Sequence, residues 1–307
     1  MAALRRRKSR TASWKNLFCL LTAAVIWGFA FTGLSTGLER LGIFTFNCIR
    51  SLLASAFLLI MIWVRNRILK RKNEKIRYDK KQQILAGICC GICVYISNIF
   101  QQIGIQYTSV GKSGFIMIMY IVIVPVLGLL FHKKCSRTII FSVGLAVAGF
   151  YFITTQGKMS FNTGDLLTLA SSFFCALDIL AVGYFSDRVD GIMLSFQQFV
   201  FATVLSGVFM FGFEKPCLAD IYHAGIPLFY VGVVSCGIGY TLQIIGQNNY
   251  NETAASLILS LESVFAALSG WMILGETLTK RELMGCGIIF AAVILAQISA
   301  GKRGESN

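Results

Sequence analysis

The sequence predicts an all-α, polytopic membrane protein of about ten transmembrane helices, arranged as two inverted five-helix repeats. The first observation behind this fold class is composition: 56% of the 307 residues are hydrophobic, 14% are charged and the mean hydropathy is +0.70. A soluble domain of this size would need more charge to stay in solution. The second is that apolar runs long enough to cross a bilayer recur along the chain. The third is an internal repeat.

The apolar runs divide the chain into two halves of five candidate spans each. We expect a basic N-terminus at 1–16, a first half at 17–155, a second half at 164–300 and a tail at 301–307. The first run follows a basic segment, as in a signal peptide, but it is long and others follow, so we interpret it as a retained helix. The predicted spans are 17–37, 44–64, 84–106, 110–131, 138–155, 166–185, 192–213, 226–246, 254–274 and 283–300.

The formal net charge of +14 has a simple explanation in membrane topology. With the N-terminus in the cytoplasm, 21 of the 28 Lys and Arg residues fall on the cytoplasmic side, six fall outside and one lies within a span. This bias predicts that both termini are cytoplasmic, and we expect the plasma (inner) membrane as the location. The same bias makes a nucleic-acid partner unnecessary.

The chain repeats itself at an offset of 143 residues, although identity is low. Tyr107 then falls on Tyr250, and Ser113 falls on Ser256, with the apolar spans in phase. Since each half has an odd number of spans, the second half must be inverted relative to the first. Inverted repeats are typical of secondary transporters, which bind their solute near the interface of the repeats.

Several short motifs carry a family resemblance that covers residues 17–300. The second half contains SLESVFAAL at 260–268 and ILGETLT at 273–279; the first contains IWG at 26–28, Arg50, Tyr120 and Pro125, and GDLL follows at 164–167. Together they resemble the EamA-type repeat of the drug/metabolite transporter superfamily. The resemblance implies ten helices, cytoplasmic termini and transport, often export, of small metabolites such as amino acids. One departure is FHKK at 131–134, where Leu-Gly-Glu would be usual.

Two carboxylates fall near mid-depth of predicted spans, Asp178 in the sixth and Glu262 in the ninth. A charged side chain inside the bilayer costs at least a few kcal/mol and is by default a functional candidate. Both are candidates for binding a substrate amine and for coupling to protons. The alternative is a structural carboxyl group that is hydrogen-bonded between packed helices.

Two basic residues lie within or at the start of spans, Arg50 and Lys112. If they face inward they would hold a substrate carboxylate; otherwise they reach the headgroups. Trp27, at mid-span in the first helix, is a candidate for the cavity wall or for simple packing. Pro125 should bend the fourth span, as a hinge or as a static kink.

Uncharged amides align along single helical faces of two spans. They suit a cavity that hydrogen-bonds a polar solute, or alternatively they bond neighbouring helices. The binding candidates on these two faces are Asn98 and Gln102 in the third span and Gln243 in the eighth, together with the hydroxyl of Tyr240 on the latter face. Gln198 in the seventh span is a further candidate, because it falls roughly where Arg50 falls in the second span.

The function predicted from these features is a secondary transporter, most simply an exporter, of a small polar metabolite such as an amino acid, working by alternating access. The alternatives are a membrane-embedded enzyme and a passive facilitator or channel. We expect no enzyme activity, no cofactor and no metal, because His132 and His223 are the only histidines and no nucleophile motif occurs. The expected partners are the solute, membrane lipid and protons as a candidate coupling ion, with the chain as a monomer or homodimer.

Overall fold

The structure is a computed structural model that describes residues 14–72, 78–107, 110–130, 137–154, 162–274 and 280–304. In this part of the chain the regular elements are helices. They are α1 (Trp14–Leu38), α2 (Ile43–Arg71), α3 (Lys80–Tyr107), α4 (Val110–Met117), α5 (Tyr120–Leu130), α6 (Arg137–Thr154), α7 (Thr163–Phe185), α8 (Gly191–Phe213), α9 (Leu218–His223), α10 (Gly225–Phe229), a π-helical segment (Tyr230–Gly239), α11 (Tyr240–Gln247), α12 (Glu252–Leu259), α13 (Glu262–Leu274) and α14 (Lys280–Gly304).

The chain is an all-α polytopic membrane protein. Within the described residues, seven helices are long and apolar enough to cross a membrane. In this count the consecutive helical elements within Gly225–Gln247 are taken together as one helix, and so are those within Glu252–Ile273. Three shorter apolar helices accompany them, at Tyr120–Leu130, Arg137–Gly149 and Leu283–Ala296. The count of ten crossings stays a prediction, and most of the segment 156–165 between the fifth and sixth predicted spans lies outside the described residues.

Polar side chains fix the starts of several helices. Asn162 accepts a hydrogen bond from the backbone N–H of Asp165 at 3.0 Å, while the Asp165 carboxylate accepts one from the Asn162 N–H at 2.7 Å. Asp190 and Asn251 cap α8 and α12 through a single bond each, in which the side-chain oxygen accepts from the N–H of Met193 or Ala254. These caps satisfy N–H groups that the helix itself leaves without partners.

The helices pack as two bundles, and each bundle combines both halves of the chain. The α1 bundle consists of α1, α2, α10, the π segment and α11–α13; the α7 bundle consists of α3–α5, α7 and α8. The bundles meet mainly where α2 packs along α8, while α6 and α14 pair beside them. The halves are therefore intertwined, which the sequence repeat alone did not indicate.

Glycines allow close helix crossings in both bundles. A Cβ on Gly28 of α1 would clash with Phe265 and would lie 2.7 Å from the backbone oxygen of Glu262 in α13. A Cβ on Gly164 of α7 would lie 2.7 Å from the backbone oxygen of Gly104 in α3. Small residues at such crossings let the helix backbones approach closely, which favours packing in lipid, where there is no hydrophobic driving force for helix association.

Two predicted spans are discontinuous, a feature that apolar periodicity does not reveal. The predicted fourth span is broken at Ile118 and Met119 between α4 and α5, and the ninth is broken at Ser260 and Leu261 between α12 and α13. Tighter i→i−3 backbone bonds form at both breaks, for example from Ile121 N–H to Ile118 O at 2.9 Å. Pro125 lies inside α5, after the break rather than at it.

Candidate functional site

A cavity of about 90 Å³ lies between the two bundles. This volume can hold several water molecules or part of a small solute. The sequence predicted a cavity between the halves; the observed cavity lies between two bundles that each contain both halves. Its polar lining residues are Trp27, Arg50, Ser97, Asn98, Gln101, Tyr120, Asp178, Ser235, Tyr240, Gln243 and Glu262.

Arg50 supplies the positive charge of the lining. It is 5% exposed, so its side chain turns into the protein rather than towards headgroups. Its Nε donates a 2.9 Å hydrogen bond to Asn47 Oδ1, and one terminal nitrogen is buried without a hydrogen-bond partner. A buried cation with an unused donor is suited to a ligand acceptor such as a carboxylate. The side chain of Lys112 lies outside the described residues.

Asn47 holds Arg50 in place, and sequence reasoning missed it. The Asn47 amide nitrogen donates to Ser206 Oγ of α8 at 2.7 Å, while its oxygen accepts from Arg50 and, at 3.3 Å, from Gln102 Nε2. The residue therefore links α2, α3 and α8. The spacing of Asn47 could have indicated this role in the sequence, because a polar residue three positions before Arg50 shares a helical face with it.

Asp178 of α7 supplies one negative group of the lining. It is 3% exposed, and its Oδ1 is buried without a hydrogen-bond partner. Gln243 of α11, in the α1 bundle, lines the same cavity. Burying a carboxylate with an unused oxygen is unfavourable unless a proton, a water molecule or a ligand group meets it.

Glu262, the first residue of α13, supplies the second negative group. Its Oε1 accepts a 3.2 Å hydrogen bond from the hydroxyl of Tyr120, the first residue of α5. Both residues are buried, and both stand directly after a helix break. Tyr120 was noted in the sequence only as part of the family resemblance. Nothing in the periodicity of its span indicated a partner on the other half of the chain.

Aromatic rings form one wall of the cavity. The Trp27 and Tyr240 rings lie 4.9 Å apart, and Tyr240 also meets Phe199 edge-on at 5.1 Å. Trp27 Nε1 reaches Ser235 O at 3.4 Å. The rings exclude water from this side and give the apolar parts of a solute a surface to contact.

The structure places seven of the nine predicted binding residues on the cavity wall: Trp27, Arg50, Asn98, Asp178, Tyr240, Gln243 and Glu262. Gln102 and Gln198 do not line it, although both are fully buried. Gln102 instead supports Asn47. Both amide atoms of Gln198 lack hydrogen-bond partners. A binding role for any of these residues stays a prediction.

The groups on the cavity wall are suited to recognising a polar solute. Within the described residues, no group of three or more His, Cys, Asp and Glu side chains could hold a metal ion. The wall instead combines a guanidinium, two carboxyl groups, amides and aromatic rings. A small molecule with both charged and apolar parts would match it.

The fold and cavity define a membrane-embedded transporter, and the comparison with protein families agrees. The profile of the EamA-like transporter family matches residues 14–155 and 162–297. The chain therefore belongs to the EamA-like transporter family, within the drug/metabolite transporter superfamily that the motifs resembled.

Individual relatives are transporters as well. An uncharacterized transporter of Archaeoglobus fulgidus is 28% identical over 280 residues, covering 91% of this chain and 84% of the relative. The threonine/homoserine exporter RhtA of Escherichia coli is 32% identical over 167 residues, covering 53% of this chain and 56% of the relative. One solved crystal structure superposes with a TM-score of 0.76 at 14% identity, covering 94% of this chain and 98% of the other, which supports the fold alone.

Proposed function

We propose that the protein is a secondary transporter that exports a small polar metabolite, such as an amino acid, by alternating access. The observation that carries this proposal is a cavity lined by Arg50 and Asp178, two groups of opposite charge that each have a buried hydrogen-bonding atom without a partner. Such groups are costly to bury inside a membrane unless a ligand or water meets them in at least one state.

The substrate class follows from the two kinds of charge. A zwitterion would place its carboxylate near Arg50 and its ammonium group near Asp178 or Glu262, with its side chain against Trp27 and Tyr240. The similarity to an exporter named for threonine and homoserine supports an amino acid of this size. A small organic cation would use the carboxyl groups alone.

Two inverted repeats and ten membrane crossings are part of the proposal. The packing supports them, because equivalent spans of the two halves make equivalent pairs. The third span (α3) packs on the sixth (α7), as the eighth (the π segment and α11) packs on the first (α1). The second span (α2) pairs with the seventh (α8), and the fifth (α6) pairs with the tenth (α14). Rocking of the α1 bundle against the α7 bundle would then expose the cavity to each side in turn.

Asp178 and Glu262 are the proposed coupling residues, with protons as the coupling ion. A carboxyl group that takes up a proton when the substrate leaves would couple export to proton entry. This requires only that the same buried group serve the substrate and the proton in alternate states.

The proposed location is the plasma (inner) membrane with both termini in the cytoplasm. A reporter fused after Asn307 and a second reporter inserted at 156–161 should report opposite sides of the membrane. The same side for both would contradict the ten-span topology.

Counterflow in proteoliposomes tests the transport mechanism. Vesicles loaded with unlabelled threonine should accumulate labelled threonine transiently against its own gradient, because only a carrier couples the two fluxes. Homoserine, a deaminated hydroxy acid and protein-free vesicles are the comparisons. Equilibration without transient accumulation would indicate a channel, and no uptake of any amino acid would refute this substrate class.

A further inference from the structure

The contact between Tyr120 and Glu262 joins the two bundles at the cavity wall. Tyr120 belongs to α5 of the α7 bundle, and Glu262 belongs to α13 of the α1 bundle. The hydroxyl donates to the carboxyl group at 3.2 Å, and both side chains are buried. Because the proposed transport cycle moves one bundle against the other, this bond lies across the moving interface.

The two residues occupy nearly equivalent positions in the two discontinuous spans, since the 143-residue offset places Tyr120 one position after Glu262. Each is the first residue of the helix that follows its break. Each break contains i→i−3 backbone bonds, such as Val122 N–H to Met119 O at 2.9 Å and Leu261 N–H to Ile258 O at 3.1 Å. Discontinuous helices at mid-depth occur in transporters where backbone and side chains face a binding cavity.

From this geometry, and resting on the alternating-access function above, we propose that Tyr120 and Glu262 form a latch that holds the two bundles together in the empty carrier and that the substrate opens. Glu262 lines the cavity, so the ammonium group of a bound solute would compete with the Tyr120 hydroxyl for the same carboxyl oxygen. The carrier with neither substrate nor proton on Glu262 would then reorient slowly. The carrier that holds either one would reorient readily, because both weaken the charge-assisted bond from Tyr120.

The latch predicts a specific result for Tyr120→Phe, which removes only the donor hydroxyl. Loss of one intramolecular hydrogen bond changes an equilibrium by roughly 2- to 10-fold. The balance between the two orientations of the empty carrier should shift by this factor, and so should the ratio of net efflux to counterflow, which should rise. Glu262→Leu removes the acceptor from the other side and should shift the orientation balance by the same factor.

Tyr230→Phe is the matched control. The Tyr230 hydroxyl also donates a partly buried hydrogen bond, to Ile26 O at 3.1 Å, but both partners belong to the α1 bundle. Its removal should leave the orientation balance unchanged. The double variant Tyr120→Phe/Glu262→Leu should shift that balance no further than either single variant, since both remove one bond.

Native cysteines report the orientation without engineered probes. Cys175 and Cys236 line the cavity on opposite bundles, while Cys217 is exposed at the start of α9. Right-side-out membrane vesicles washed free of amino acids would be treated with a membrane-impermeant maleimide, and peptide mass spectrometry would give the labelling rates of Cys175 and Cys236 relative to Cys217. Normalising to Cys217 separates changed orientation from changed yield.

We expect the relative labelling rate to change at least twofold in Tyr120→Phe and in Glu262→Leu, and to keep its wild-type value in Tyr230→Phe. Wild-type labelling in both latch variants, or an equal change in Tyr230→Phe, would overturn the latch. This readout needs no substrate. If wild-type protein fails the counterflow assay, the proposed function fails independently, whereas normal counterflow with unchanged labelling in the variants refutes the latch alone.

Discussion

The two discontinuous spans share a backbone design but differ in chemistry. Both break near the middle and restart at a residue that lines the cavity, Tyr120 in α5 and Glu262 in α13. In the first half this residue is a neutral hydrogen-bond donor, and in the second half it is a carboxyl group. The other buried carboxyl group of the cavity wall, Asp178, also belongs to the second half.

This difference shows how a repeated fold can hold an asymmetric ligand. The repeat sets where the helices break and how close the two restart positions come, while sequence divergence decides which charge stands at each position. Arg50 in the first half and the carboxyl groups in the second would then present two unlike poles to a zwitterion. A symmetric pair of identical residues could not distinguish the two ends of such a solute.

The largest effect should come from neutralising the charge of the second half. We expect Asp178→Asn and Glu262→Gln each to reduce transport by roughly 10- to 100-fold, because a charge-assisted hydrogen bond to the substrate is lost. Each substitution should also remove the pH dependence of transport, because an amide cannot take up and release the coupling proton. Initial rates in proteoliposomes at several pH values measure this.

Asp187→Asn is the control for these two variants, since the Asp187 side chain is 45% exposed and pairs only at the surface with Arg188. It should keep wild-type rates. If both cavity variants transport normally with unchanged pH dependence, neither carboxyl group couples, and the protein is a facilitator whose amides bind the solute.

A smaller effect should come from the positive pole in the first half. Arg50→Gln should weaken binding of an amino acid by about tenfold, because one charge-assisted contact to the carboxylate is lost, while binding of the corresponding amine stays unchanged. Competition against labelled amino acid measures both affinities. The control is Arg67→Gln, since Arg67 lies at the exposed end of α2 against the ring of Trp63. If Arg50→Gln weakened the affinity for the amine and for the amino acid equally, Arg50 would have no role in recognising the carboxylate.

The smallest effect concerns the backbone design itself. Gly28→Ala should destabilise the protein by about 1 kcal/mol, because the added methyl group would meet Phe265 and the backbone of Glu262 at the second-half break. Gly114→Ala in α4, where an added Cβ meets nothing within 4 Å, should be neutral or slightly stabilising. Thermal unfolding in detergent compares the two variants. An equal midpoint for both would show that the Gly28 contact relaxes freely.

The sequence was sufficient for the fold class because bilayer thickness converts directly into the length of apolar runs. It also selected Asp178 and Glu262, since a charge inside an apolar run is unfavourable and therefore conspicuous. It did not reveal Asn47, whose neutral amide carries no such penalty, or the Tyr120–Glu262 bond, which joins residues 142 positions apart. Gln102 and Gln198 share the polarity of the lining residues, but tertiary packing directs them away from the cavity.

The most direct test of the account is whether the cavity requires both charged ends of its ligand. Thermal stability of the purified protein would be measured with threonine, with its decarboxylated amine and with its deaminated hydroxy acid at equal concentrations. Binding to the folded state alone raises stability with ligand concentration. The account predicts a clear shift with threonine and a much smaller shift with either half-analogue. An equal shift from the amine or from the hydroxy acid would contradict a zwitterion site formed by Arg50 together with Asp178 and Glu262.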